Sequence, residues 1–191
     1  MERSIPTPDR PIFSEQKTAE AASVFLHLNN GQMNYMKLLK LLYLADRAAI
    51  EQWERPITND HYASMDQGPI PSTTYNIIKR TAAGHGELWN AVIEGQGRYE
   101  VRLRGDPLES KKLSQAEIDL IHQIFEKYGG WDPFDLVDFT HTLPEYEDPK
   151  GSSLPIGMET ILKALRFSDE DIERIDVELE QEAQIDSILD T

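Results

Sequence analysis

The sequence contains no cysteine, which rules out disulfides and thiolate metal sites and suits a reducing compartment. It is also short of positive charge: 19 lysines and arginines stand against 34 aspartates and glutamates, for a formal net charge of −15. A general phosphate-backbone binder needs clustered bases to displace counterions. The balance therefore favours solubility or a basic partner over nucleic acid. No apolar run reaches the roughly 18 residues of a membrane-spanning helix, and the opening MERSIPTPDRPIF has no apolar signal core. A cytoplasmic protein with no membrane association is expected.

Catalytic and metal signatures are missing too. The five histidines (His27, His61, His85, His122 and His141) are scattered, without HxxxH or HExxH spacing, so no metal and no cofactor is expected. Gly84-His85-Gly86 and Gly95-Gln96-Gly97 lack the strand, glycine loop and helix order of a nucleotide site and read as turns. No nucleophile stands with a base at a local spacing.

What is present is helical. With 191 residues, 39% of them apolar, and no break in composition, one domain with short extensions is expected. Residues 1–13 carry Pro6, Pro8 and Pro11 and read as an extended, flexible arm. Ser14 can cap a helix that Asn29-Asn30-Gly31 closes. The next helix starts near Asn34; Lys37, Lys40, Arg47, Glu51 and Glu54 share one narrow arc, and leucines and alanines cover the rest. That pattern predicts a mostly buried helix with one polar edge, ended by Pro56.

An extended piece, 61–66, leads into Gly68-Pro69-Ile70-Pro71, where two prolines bar a regular helix. Ser72 or Thr73 can cap a helix to about Arg80. Over 88–104 the period changes to alternation, with Trp89, Ala91 and Ile93, then Tyr99, Val101 and Leu103, predicting a β-hairpin. Helices resume at the capping box of Ser114 and Glu117, at Asp132-Pro133, over Met158–Leu165, and behind Ser168. The fold class is mainly α: a compact helical domain over 14–166 around a buried central helix, a small antiparallel hairpin, and an acidic helix or tail over 167–191.

Several residues call for a role. Asp46 falls among Leu39, Leu42 and Ala49, where an ionised carboxylate needs donors; the backbone of 68–73 or Tyr75 could supply them. His141 sits at a helix C-terminus, where it can satisfy free carbonyls. Arg98, Arg102 and Arg104 face one side of a strand with Glu100 between them, either as a solvated face or as a local docking strip. In the acidic tail, Ile172, Ile175 and Leu179 make a helical stripe that could anchor to the domain or to a partner.

The order of these blocks resembles the Panacea antitoxin domain family, which includes SocA-type and phage GepA-like proteins. The resemblance rests on Lys37-Leu38-Leu39-Lys40-Leu41-Leu42-Tyr43-Leu44-Ala45-Asp46, on Gly68-Pro69-Ile70-Pro71-Ser72 with Tyr75, and on Trp131 and Leu136 ahead of Thr140-His141 and Leu143-Pro144-Glu145-Tyr146. It covers about 19–147 and implies an antitoxin that neutralises a toxin encoded beside it, by direct contact or, in one branch, as an adaptor delivering the toxin to a Clp-family protease. The family offers no catalytic residues to carry over. Many relatives add a helix-turn-helix module, for which this chain has no spare length, so direct DNA binding is not expected. The reading from another class is a hydrolase using Asp46, Asp66 or His141.

Overall fold

A computed structural model describes residues 12–105 and 111–189; all but the last two residues of the proposed arm lie outside them. Eight helices and six strands are present among the described residues. Helix α1 (Glu15–Leu28) begins at Ser14, whose side chain accepts from Lys17 N as foreseen, and ends where Gly31 N donates to Leu26 O. Phe13, assigned to the arm, is buried in the core instead.

Strand β1 (Gln32–Asn34) passes directly into α2 (Tyr35–Trp53), capped by the Asn34 side chain on Met36 N. Helix α2 is the centre of the fold: Leu38, Leu39, Leu41, Leu42, Tyr43, Ala45, Ala49 and Ile50 are buried. Each such leucine contributes about 2 kcal/mol relative to exposure. The predicted polar edge is the first correction. Lys40 is fully buried, and Lys37 and Arg47 are drawn into bonds with distant segments, because other elements pack over that edge as well.

The sequence-predicted single hairpin is the second correction, since the structure has two three-stranded antiparallel sheets. One has the order β1-β5-β4, with β4 (Ile93–Gln96) and β5 (Glu100–Leu103) forming the expected hairpin and Met33 opposite Val101. Trp89 and Ala91, read as strand, lie in a short helix, α4 (Glu87–Val92). The cause is a carboxylate far away in sequence: Glu15 accepts from Gly86 N and Trp89 N, both at 2.9 Å, and so caps α4 from the start of α1.

The other sheet has the order β3-β2-β6, with β2 (Tyr62–Met65), β3 (Gly68–Pro71) and β6 (Leu154–Ile156). Gly68-Pro69-Ile70-Pro71, where a regular helix is barred, is an edge strand, a position where missing proline N–H groups cost no ladder bond. Helix α3 (Ser72–Ile78) follows it. Neither Ser72 nor Thr73 caps it; Asp60 does, accepting from Thr73 N at 2.8 Å and Thr74 N at 2.9 Å.

Helix α5 (Gln115–Tyr128) carries both halves of the predicted capping box, and α6 (Pro133–His141) has Asp132 on Phe134 N with proline at its first position. Helices α7 (Met158–Ala164) and α8 (Asp169–Leu189) close the chain. The acidic α8 lies on the domain: Ile172, Ile175, Leu179 and Ala183 are buried, and Arg174 makes two bonds to Glu54, at 2.7 and 2.8 Å.

Candidate partner-binding site

The site is built on buried charges that hold irregular backbone. Asp46, on α2, accepts from Ile57 N at 2.9 Å, Thr58 N at 3.0 Å, the Thr58 hydroxyl and the Tyr62 hydroxyl at 2.9 Å. Its donors are therefore not the 68–73 backbone or Tyr75, as the sequence suggested, but the loop that immediately follows α2. Burial pushes the carboxyl up to about 6, against the hydrogen bonds from Thr58 and Tyr62. Two residues of that loop further on, Asp60 starts α3, so the pair of aspartates positions the whole β2–β3–α3 unit.

Lys40 lies on the other side of α2 and donates to Pro69 O at 2.8 Å. Burial lowers its pKa to about 7. Gly68, at φ +87, sits directly over this lysine: a Cβ there would lie 2.6 Å from Thr140 Oγ1, 2.8 Å from Lys40 Nζ and 3.2 Å from His141 Cδ2. Only glycine allows that conformation and that approach together. Lys40, Gly68, Pro69, Thr140 and His141 thus come together although they are widely spaced in sequence. His141 does not cap α6: its Nε2 is buried with no hydrogen-bond partner among the described residues, and its ring stacks on Tyr146 at 4.5 Å. Thr142 meets Phe139 O instead.

The remaining motif residues serve the same frame. Lys37 donates to Gly129 O at 2.6 Å, tying α2 to the end of α5. Following Pro144, the buried Glu145 accepts from the Tyr43 hydroxyl at 2.9 Å and Arg47 Nε at 2.6 Å. Leu38 and Leu41 are core. Pro71 is buried in β3, and Ser72 donates its hydroxyl to His61 O. Trp131 packs edge-on against Tyr128 and Phe139.

Beside Gly68 opens a cavity of about 320 Å³, lined on one part by Tyr35, Met36, Leu39, Met65, Ile70 and Tyr75 and on another by Asp66, Gln67, Gly151 and Ser152. Asp66 is held there by Gly151 N at 2.8 Å. Lys79 reaches two of the lining tyrosines: it donates to the Tyr35 hydroxyl at 2.8 Å and lies 4.2 Å above the Tyr35 ring and 5.6 Å from that of Tyr75. Tyr35 stacks on Tyr99 at 6.4 Å, and the Arg98 guanidinium lies 5.1 Å from the Tyr99 ring. Tyr75, Lys79, Tyr35, Tyr99 and Arg98 form one continuous ladder of rings and cations.

The predicted arginine strip is divided by this geometry. Arg102 and Arg104 close on the two oxygens of Glu94, at 2.6 and 2.7 Å, while Arg98 joins the ladder. Ile172, Ile175 and Leu179 are committed to the chain's own core. The sequence pattern gives the ladder's Tyr35 and Lys79 no role and reads Tyr99 only as part of the alternating strand. Tyr35 opens α2, Lys79 follows the end of α3 and Tyr99 lies in the turn between β4 and β5, and nothing local in the chain announces their meeting.

No group of three or more histidine, aspartate or glutamate side chains among the described residues could hold a metal ion, and no described helix is long and apolar enough to cross a membrane. The family model described as antitoxin SocA-like, Panacea domain, matches residues 38–147, more than half of the chain. No curated protein and no solved structure matches.

Proposed function

The chain belongs to the SocA-like Panacea antitoxin family, and from that premise we propose that it neutralises a cognate toxin, encoded nearby, by direct protein contact in the cytoplasm and without catalysis. The observation that carries this reading is the family match itself. It spans the elements that build the buried frame and most of the cavity beside Gly68. The frame's charged groups are spent on backbone: Asp46, Asp60 and Lys40 each hold a loop or strand in place. A rigid frame beneath an exposed aromatic face suits binding, because little ordering entropy is lost on contact.

The test is co-expression with the neighbouring gene product. The neighbour alone should arrest growth, and this chain should restore it and co-purify with the neighbour. The same rescue in a host lacking Clp-family proteases separates direct masking from delivery for proteolysis. Failure to rescue, or turnover of a substrate that vanishes in a folded Asp46→Ala variant, would overturn the reading.

A further inference from the structure

Among the described residues, the ladder carries two cations without counter-ions in a chain whose net charge is −15. Among the described residues neither Lys79 nor Arg98 has a carboxylate within ion-pair distance; each is held over tyrosine rings instead. Arg102 and Arg104, nearby on the same hairpin, show the alternative, since both are satisfied by Glu94. A cation over a tyrosine face keeps its donors for another acceptor. Tyrosine and arginine are also the side chains that most often anchor protein interfaces.

The cavity next to the ladder has one apolar, adaptable wall, facing a polar side that includes Asp66, Gln67 and Ser152. At about 320 Å³ it has roughly twice the volume of an engineered cavity that takes benzene, about 150 Å³. Met36 and Met65 in its wall can repack around an irregular shape. Asp66 in the lining repels a second acid, which favours a ligand whose charge rests on the ladder and whose apolar part enters the cavity.

Resting on the antitoxin reading above, the geometry points to an acidic segment of the partner protein as the occupant, with its carboxylates on Lys79 and Arg98 and one bulky apolar side chain in the cavity. Stacked tyrosines beside bases would also suit single-stranded nucleic acid. The overall negative charge opposes a phosphate chain more strongly than a short peptide, because the backbone contributes a charge at every nucleotide.

The experiment is a titration of the full chain carrying methyl-labelled methionines. Its probes are a short peptide with glutamates flanking one tryptophan, the same peptide with glutamines or with lysines, and an oligouridine. The glutamate peptide should move the Met36 and Met65 methyls and leave Met158, which does not line the cavity, in place. Lys79→Glu with Arg98→Glu, both surface changes, should weaken it by about tenfold or more, and added salt should weaken it too. Unmoved Met36 and Met65 methyls, equal binding of the lysine peptide, or an oligouridine that moves the same methyls more tightly would each overturn the assignment. A Lys79→Glu, Arg98→Glu chain that still rescues cells removes this surface while leaving the antitoxin reading intact. A wild-type chain that rescues nothing removes that reading, while the titration still judges the surface.

Discussion

Lys40 makes a sharp test of the buried frame. Its ammonium is fully buried and bonded to one carbonyl, Pro69 O, and burial lowers its pKa from 10.5 to about 7. In the unfolded chain the lysine regains its ordinary value. Between about pH 7 and 10.5 the unfolded state therefore binds more protons than the folded one, and stability rises with pH across that window. For one group with these two values, the gain from about pH 7 to about pH 9 is about 2 kcal/mol. Below about pH 7 both states are protonated and the slope disappears.

The assay is urea unfolding of the wild type and of Lys40→Met at several pH values in that window. Methionine keeps the length and loses the charge. The wild type should gain about 2 kcal/mol relative to the variant, through the midpoint rather than the slope of the transition. Lys37, also lowered by burial with Asp132 opposing, contributes to both proteins and cancels in the difference. Tyr43 and Tyr62, held well above 10 by burial, act only at higher pH. If the two proteins gain equally, the Lys40 ammonium is not the titrating group and its burial has been misjudged.

Three further outcomes follow from the same frame. Asp46→Ala should cost about 3 kcal/mol or more in chemical denaturation, because it leaves two backbone N–H groups and the Tyr62 hydroxyl buried without acceptors. In the wild type, Asp46 ionises at about 6 when folded and near 3.8 when unfolded, so its contribution is full at low pH and is lost as pH rises toward 6; the acid-side profile of Asp46→Asn should lack that fall. Gly68→Ala should lower stability by about 3 kcal/mol, through a positive φ and collisions with Thr140 and Lys40, with a melting temperature as readout; an unchanged value would show that the strand can lift. Truncation after Arg166 should expose the surface covered by Ile172, Ile175, Leu179 and Ala183 and cost several kcal/mol, seen as an earlier urea midpoint; an unshifted midpoint would mean that α8 adds nothing to the core.

The parts of this fold that can be read from sequence are those whose hydrogen bonds close within one turn. Ser14 reaches Lys17 N, Ser114 and Glu117 bond each other, Asp132 reaches Phe134 N, and Ser168 reaches Asp171 N. All four helix starts are accordingly visible in the chain. The start of α3 at Ser72 is legible too, but not its cap, which comes from Asp60, and the start of α4 is invisible because its cap comes from Glu15, 71 residues before Gly86. Without that knowledge, alternation at Trp89, Ala91 and Ile93 is a fair strand signal, and tertiary capping overrides it. The strands β1, β3 and β6 are three or four residues long, two of them containing proline, too short for periodicity to register. Lys40 was misplaced for a related reason: a helical wheel shows that it belongs with Lys37 and Arg47, but not that β3 and α6 cover that edge.

These distant caps also change what the acidic composition means. Glu15, Glu20, Asp46, Asp60, Glu117 and Glu145 all point inward or sideways onto backbone N–H groups, hydroxyls or bases of the same domain. Backbone donors and local bonds hold Glu20 and Glu117 below their usual values despite burial, so these are ionised structural acids rather than an outward field. The solvent-facing excess is instead concentrated on α8, where Asp169, Glu170, Glu173 and Glu180 stand exposed and Arg174 is occupied by Glu54, Asp171 and Glu178. Lys79 and Arg98, at the opposite extreme, lie over tyrosine rings with no carboxylate partner among the described residues. At physiological salt, charges more than about 8 Å apart are largely screened from each other. Net charge is therefore a poor guide to what each face attracts: a chain that is acidic overall can still present a cationic, aromatic surface to an acidic segment of its partner.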